Sequence, residues 1–397
     1  MGAARLLLPA SLLLLLAAVS PVRGAAASSS YGGDKVGLPL LVAFADTPGL
    51  RNTTEAFAET VAKASAGKLF VSNITYGVSP ANVLAAARDG RAFGLALHGM
   101  FAPDKNGVDI KTAQYLDNNL PFTLSVTQFA SLLRHTPFGR FWRQVYEPLG
   151  IRAMYVGTLV GPQVGDWYKK PIAKLSDLRG LRMRYTGGPL NTLQAEILKE
   201  VGAEPVFVPL PQAKQALANG TLDALELLGV RVDLSAKIWE AGGRYLYYPG
   251  LQGPEAAHVL IPAKIADTPE LEIALQRACD EAISVNYADY FGPAAQAAVK
   301  ETRKNGVRVG RYPQEVIRGL FAAYRKVMAR HREEQVRRGN RLGVEVLDEY
   351  DAYVRSVSDF DIMAAPEAQI LPARDHVARY VGVQVPVAQR SSVCKRR

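Results

Sequence analysis

Residues 163–227 constrain what this chain can fold into more than any other stretch. Leu181, Met183 and Tyr185 alternate with Arg182 and Arg184 at the two-residue period of a strand. Leu190, Leu193, Ile197, Leu198 and Val201 then recur at helical spacing until Gly202 stops them. A short strand and a second helix follow, the helix ending at Asn219 and Gly220. The unit is strand, helix, strand, with an arginine where its first strand ends. A helix of this kind supplies the long crossover that two parallel strands require.

The same alternation runs on either side. Upstream, strands are predicted at 40–45, 69–71 and 93–97, the last delivering His98-Gly99-Met100 to a loop. Between them lie a helix capped by Thr53 or Thr54 and ended by Gly67, and another over 80–88. Helices through Leu132 and Leu133 and over 138–149 precede a strand at 153–156. Downstream come a helix over 232–240, strands at 245–248, 258–261 and 307–309, a long helix over 269–290 and an amphipathic helix over 342–358. This predicts an α/β fold with a largely parallel sheet.

At the N-terminus Arg5 precedes an apolar run over 6–19, and small residues at 22–26 offer cleavage positions. We read 1–24 as a secretory signal peptide, with an Ala/Ser-rich linker over 25–37. The run is shorter than the roughly 20 residues needed to cross a bilayer. The two cysteines, Cys279 and Cys394, do not make a disulfide framework, although a single bridge between them stays open. The net charge of +10 draws on Arg5, Arg23, Arg390, Lys395, Arg396 and Arg397, all in the terminal segments. What remains is a mildly basic body with interleaved charges and no nucleic-acid-binding signature, suited to small anions. There is no nucleophile elbow, phosphate loop, Cys-x-x-Cys or His-Glu-x-x-His, and the five histidines show no ligand spacing. An exported metal-assisted enzyme acting on organic acids is the rival class, because acid–base pairs can be assembled from anywhere in a chain.

Three runs carry a family resemblance: Gln163-Val164-Gly165-Asp166-Trp167-Tyr168, Asp177-Leu178-Arg179-Gly180-Leu181-Arg182-Met183-Arg184, and Asn219-Gly220-Thr221-Leu222-Asp223-Ala224-Leu225-Glu226. Their order and spacing resemble the solute-binding proteins of tripartite ATP-independent periplasmic (TRAP) transporters, most of all the branch that binds 2-oxo and 2-hydroxy carboxylates. The resemblance covers roughly 38–360. It implies a two-lobed periplasmic-binding-protein fold with chain crossovers between lobes and a C-terminal helical extension. One lobe is then 38–155 plus 255–298 and the other 156–254 plus 299–332. A C-terminal helix over 333–360, a possible dimer contact, and a flexible tail over 361–397 complete the chain. The implied role is a receptor in the periplasm that closes on a small organic acid and presents it to TRAP permease subunits in the membrane, without catalysis.

Arg184 is the leading ligand-binding candidate, because a guanidinium fork pairs both oxygens of a carboxylate. Arg182 shares its face and is assigned a structural role. Trp167, Tyr168 and Tyr185 are candidate cleft-lining aromatics, and His98 and Asp46 hold loop positions that commonly face a cleft. The resemblance implies that Gln163, Glu226 and the backbone carbonyl of the next residue hold a hard cation, sodium or calcium, that bridges to the ligand. Here that next residue is Leu227, where relatives have tryptophan. The turn after Tyr248-Pro249-Gly250 also departs from the family pattern, and Glu255 is the candidate replacement for its missing acid.

Overall fold

The computed structural model describes residues 35–100, 110–122, 124–159, 164–185, 192–265 and 267–360. The strands are β1 (Val36–Val42), β2 (Leu69–Thr75), β3 (Phe93–Ala96), β4 (Ile151–Thr158), β5 (Asp166–Tyr168), β6 (Arg182–Tyr185), β7 (Glu204–Phe207), β8 (Ala224–Glu226), β9 (Tyr245–Tyr248), β10 (Ala256–Pro262) and β11 (Arg308–Arg311). The helices are α1 (Pro48–Ala64), α2 (Pro80–Arg88), α3 (Ile110–Leu116), α4 (Val126–His135), α5 (Gly139–Tyr146), α6 (Thr192–Glu200), α7 (Leu210–Ala218), α8 (Val230–Ala236), α9 (Pro269–Phe291), α10 (Pro293–Lys304), α11 (Gln314–Arg337) and α12 (Arg341–Phe360).

The strands sort into two sheets, ordered β2-β1-β3-β10-β4 and β11-β9-β5-β8-β6-β7. A largely parallel arrangement was expected, and both sheets are instead mixed. In the first, β10 runs antiparallel to β3 and β4; in the second, β5 runs antiparallel to β8 and β9. The remaining pairs, β1 with β2 and β3, β6 with β7 and β8, and β9 with β11, are parallel. The connectivity permits this: β5 and β10 are each entered from the other sheet, so no helical crossover within one sheet fixes their direction.

Strand periodicity sets the cores. Along β10 every residue is buried, because the strand lies mid-sheet with both faces covered. Ala257, Val259 and Ile261 join a core with Leu38, Leu40 and Val42 of β1, while Ala256 and Leu260 join the opposite one. Phe57 and Val61 of α1 and Leu275, Ala278, Cys279 and Ala282 of α9 close the first of these cores. Three small side chains on α9 let the two helices approach closely. Pro269 opens α9, and the Thr268 hydroxyl accepts from the Leu271 N–H. A third core forms around Trp167, Leu222, Leu225 and Leu246 in the second sheet.

Several boundaries shift for identifiable reasons. β1 begins at Val36, inside the expected linker, because Leu38 and Leu40 are core residues. The helix expected over 138–149 breaks after Tyr146, where Pro148 has no N–H to donate, into a single tight turn closed by Gly150 at φ 68°. The helix expected over 232–240 starts two residues earlier and ends at Lys237, which adopts φ 49° so that the following turn can bury Ile238. α12 buries Val346, Leu347 and Tyr350 against its own chain, and the Tyr350 hydroxyl bonds Asn118. The signal peptide, most of the linker, the tail with Cys394, and Gln163 lie outside the described residues.

Candidate functional site

Ligands of open α/β sheets collect beyond the carboxyl ends of the parallel strands. Here those ends from both sheets converge on one cavity of about 380 Å3. The segment after β1 gives Phe44 and Thr47, the segment after β3 gives Leu97 and Met100, and the segment after β8 gives Leu228 and Gly229. A reversed strand presents its amino end at the same place. Glu255, immediately before β10, therefore lines the cavity, and Asp166 opens β5 opposite Glu226 in the ladder.

Arg184 and Glu226 are brought together. Arg184 sits on β6 between β7 and β8, and its Nη1 donates to the Glu226 carbonyl at 2.6 Å and to Glu226 Oε1 at 3.0 Å. Its Nε donates to the Val208 carbonyl at 2.8 Å. The two side chains are 3% and 0% exposed. Neither lines the cavity directly: Val208 and Glu226 each stand two positions before a lining residue, Leu210 and Leu228. Arg182, on the same face but at the open start of β6, makes a two-pronged pair with Asp223, 2.9 and 3.0 Å.

Buried acids surround this pair. Burial pushes the Asp166 carboxyl up to about 8, with the Glu226 charge adding to it. Burial likewise raises Asp233 to about 7, and Glu226 again contributes. Glu255 is raised to about 8 by burial, then by the charges of Glu226 and Asp117. Glu226 is the common neighbour of three carboxyls that struggle to ionise, and Arg184 is the guanidinium against it. Each acid has a neutral donor: Tyr312 for Asp166 at 2.7 Å, Trp167 Nε1 for Asp233 at 2.7 Å, and Asn119 for Glu255 at 2.9 Å.

The remaining expectations divide. Leu227 is buried in the core around Trp167, which leaves its backbone, not its side chain, as the relevant group. Trp167 does not line the cavity: on a three-residue strand its indole faces inward, fully buried, with its N–H on Asp233. Tyr168 is also buried, its hydroxyl 2.6 Å from that of Tyr312. Tyr185 is half-buried against Phe207 and does not line the cavity either. His98 stands one layer behind the wall, its Nδ1 2.7 Å from Asp117 Oδ1, while the next residue, Gly99, lines the cavity. Asp46 pairs with Arg51 on the surface. Sequence reading missed Asp117, Asn119, Asp233, Arg231 and Asp289. The run Asp117-Asn118-Asn119 carried a signal, three polar residues directly after an apolar helix and all buried.

A family model for bacterial extracellular solute-binding proteins, family 7, matches residues 42–335. This chain belongs to that family. The family 7 fold is visible directly in solved TRAP periplasmic solute-binding proteins. One from Colwellia psychrerythraea, with bound calcium and pyruvate, superposes with a TM-score of 0.69 at 20% identity, covering 83% of this chain and 97% of the other. One from Pseudoalteromonas atlantica, with bound sodium and pyruvate, gives 0.67 at 20% identity with the same coverage. A third, from Bordetella bronchiseptica, with calcium and picolinate in a mixed-occupancy dimer, gives 0.66 at 20% identity, covering 88% of this chain and 97% of that one. A monocarboxylate 2-oxoacid-binding periplasmic protein of Nostoc sp. is 34% identical over 136 residues. That match spans 34% of this family 7 chain and 35% of the Nostoc protein. The two-lobed fold and the extracytoplasmic solute-receptor class follow from the family, in place of the rival enzyme class.

Proposed function

We propose that this receptor binds a small organic acid, a 2-oxo or 2-hydroxy carboxylate or a similar monoacid, between its lobes and delivers it to a TRAP membrane permease. The observation that carries the reading is the buried Arg184–Glu226 pair set among Asp166, Asp233 and Glu255, the last of which lines a cavity that segments of both sheets enclose. In this reading Arg184, which does not line the cavity as its side chain stands, exchanges its contact with the Glu226 carboxylate for the carboxylate end of the acid, and the cavity takes the body of the ligand. Closure follows because an acid touching both lobes favours the closed state.

The residues present fit a hard cation. In this reading Glu226, Glu255 and the Leu227 carbonyl, together with Gln163, which lies outside the described residues, would hold the ion, and oxygen-only ligation suits sodium or calcium. When bound, such an ion supplies the positive charge that these crowded acids lack and a bridge to the ligand's oxygens. The relatives solved with sodium or calcium beside pyruvate support this assignment. We further assign residues 1–24 to an export signal and the outward face of α12 to a homodimer contact, the latter supported by the dimeric Bordetella relative.

Thermal shift of the mature protein against a panel of carboxylates, with and without sodium and calcium, tests the reading. A ligand at about 100 times its dissociation constant adds roughly 2.7 kcal/mol. If no acid raises the melting temperature and one is instead turned over, the enzyme reading replaces this one. Size-exclusion chromatography with light scattering reads the dimer separately.

A further inference from the structure

Arg231, at the start of α8, is the one cationic side chain among the described residues that line the cavity. It is not available as it stands. Its Nη1 pairs with Oδ2 of Asp289, near the end of α9, so the pair spans elements of the two lobes. The side chains are 24% and 8% exposed. Asp289 is held in place from its own lobe: Asn52 of α1 donates to Oδ1 at 3.0 Å. Gly49 leaves the room for it, since a Cβ there would come within 2.7 Å of Oδ2. The other charged lining residues, Asp117 and Glu255, are acids. Asp117 accepts from the His98 and Gly99 N–H groups at 2.9 Å. The rest of the wall is chiefly apolar, with Phe44, Leu97, Met100, Leu159, Leu210 and Val232.

A second carboxylate entering this cavity would meet chiefly apolar carbon, the neutral polar groups of Thr47, Gln114, Asn119 and Tyr290, the acids, and a guanidinium already paired. Desolvating it without a charged partner is costly, and like charge adds to that cost. The body of a monocarboxylate meets no such barrier. We propose that Asp289 is a specificity-determining residue that, by occupying Arg231, excludes dicarboxylates and restricts the receptor to monocarboxylates with an apolar body. This rests on the carboxylate-receptor reading above. In physical terms the selectivity comes from a built-in competitor: Asp289 sits where the second carboxylate of a longer acid would have to go.

The test is a gain of binding. Calorimetry on the wild type, Asp289→Asn, Arg231→Gln and the double variant uses pyruvate and 2-oxobutyrate as monoacids, and succinate and 2-oxoglutarate as diacids. Asp289→Asn is nearly isosteric, keeps an acceptor for Asn52 and releases Arg231. It is expected to bind a diacid at least about tenfold more tightly than the wild type does, with monoacid affinity changed by less than about threefold. The double variant is expected to lose that gain, because the gain needs the released guanidinium. Should Asp289→Asn fail to fold, Asp289→Ser removes the same charge with less bulk and carries the same expectation. Wild-type binding of monoacids with no gain of diacid binding in either Asp289 variant overturns the proposal and leaves the receptor reading standing. Loss of monoacid binding in Arg231→Gln also overturns it, since Arg231 would then be the ligand's own clamp. Wild-type protein that binds no acid of either kind overturns the receptor reading and this inference together.

Discussion

Two arginine–carboxylate pairs stand within reach of the same cavity and differ in what holds them. Arg184 and Glu226 belong to neighbouring strands of one sheet, and the β6–β8 ladder fixes their separation whatever the lobes do. Arg231 belongs to α8, which follows a strand of the second sheet, and Asp289 to α9, which packs on the first, so no ladder fixes their separation. The first pair is sealed from water on all sides, so removing one partner leaves a buried charge behind; the second is part-exposed, where screening reduces what a pair contributes. The same chemistry therefore serves as a fixed feature of the site in one place and as an adjustable contact in the other.

The largest effect is expected at Arg184. Loss of Arg184 leaves Glu226 buried without its guanidinium, so Arg184→Ala should lower the melting temperature. If Arg184 also pairs with the acid, truncating that charge pair costs about 2–5 kcal/mol and should weaken binding by roughly 30-fold or more. Arg184→Lys keeps the charge without the fork and should be clearly impaired as well. If calorimetry finds Arg184→Ala no worse than Arg231→Gln, the contrast between the two pairs collapses. Glu226→Gln comes next: it removes the shared neighbour of three buried acids, and the sodium or calcium dependence of binding is expected to vanish with it. A Glu226→Gln protein that still needs the cation would move the ion away from this pair.

A pH series sharpens the contrast further. Asp166, Asp233 and Glu255 hold protons more firmly in the folded chain than in the unfolded one, where carboxyls titrate near about 4. Their contribution to stability is complete below that range and is lost as pH rises through about 7 to 8. Chelated, sodium-free protein should thus melt at progressively lower temperature between pH 5 and pH 9. Added calcium should flatten that slope, because ligating carboxylates must lose their protons. A flat profile without any cation would show that the acids are neutralised some other way. The smallest effect is expected at Arg182: its pair with Asp223 is exposed at the strand start, and Arg182→Ala should change acid affinity by less than about twofold.

What the sequence made legible was whatever its local periods encode. The β6–α6–β7 unit and the placement of Arg184 at a strand end follow from alternation and helical spacing within one short stretch, Arg182 to Phe207. Asp166 lay inside a run already singled out, yet its role depends on facing Glu226, a matter of register between strands far apart in the chain. Trp167 was taken for a lining residue because aromatic composition does not say which face of a three-residue strand points inward. Arg231 and Asp289 carry no joint signal at all, since nothing local ties α8 to α9. Glu255 was reached only through a displaced acid in a familiar turn; the physical reason it faces the cavity is the reversed direction of β10.

That reversed strand also governs how the molecule must be made. β10 is an interior strand of the first sheet, lying between β3 and β4, yet it is synthesised nearly a hundred residues after β4. Until Pro262 has emerged, β3 and β4 present open edges that other chains can pair with. The chain up to Glu255 cannot complete either sheet, so folding is committed late and through contacts distant in sequence, a slow and aggregation-exposed route. A chain of this topology is suited to being kept unfolded until its last crossing has been delivered, and truncation anywhere before β10 removes an interior strand of the first sheet as surely as it removes β11, the edge strand of the second.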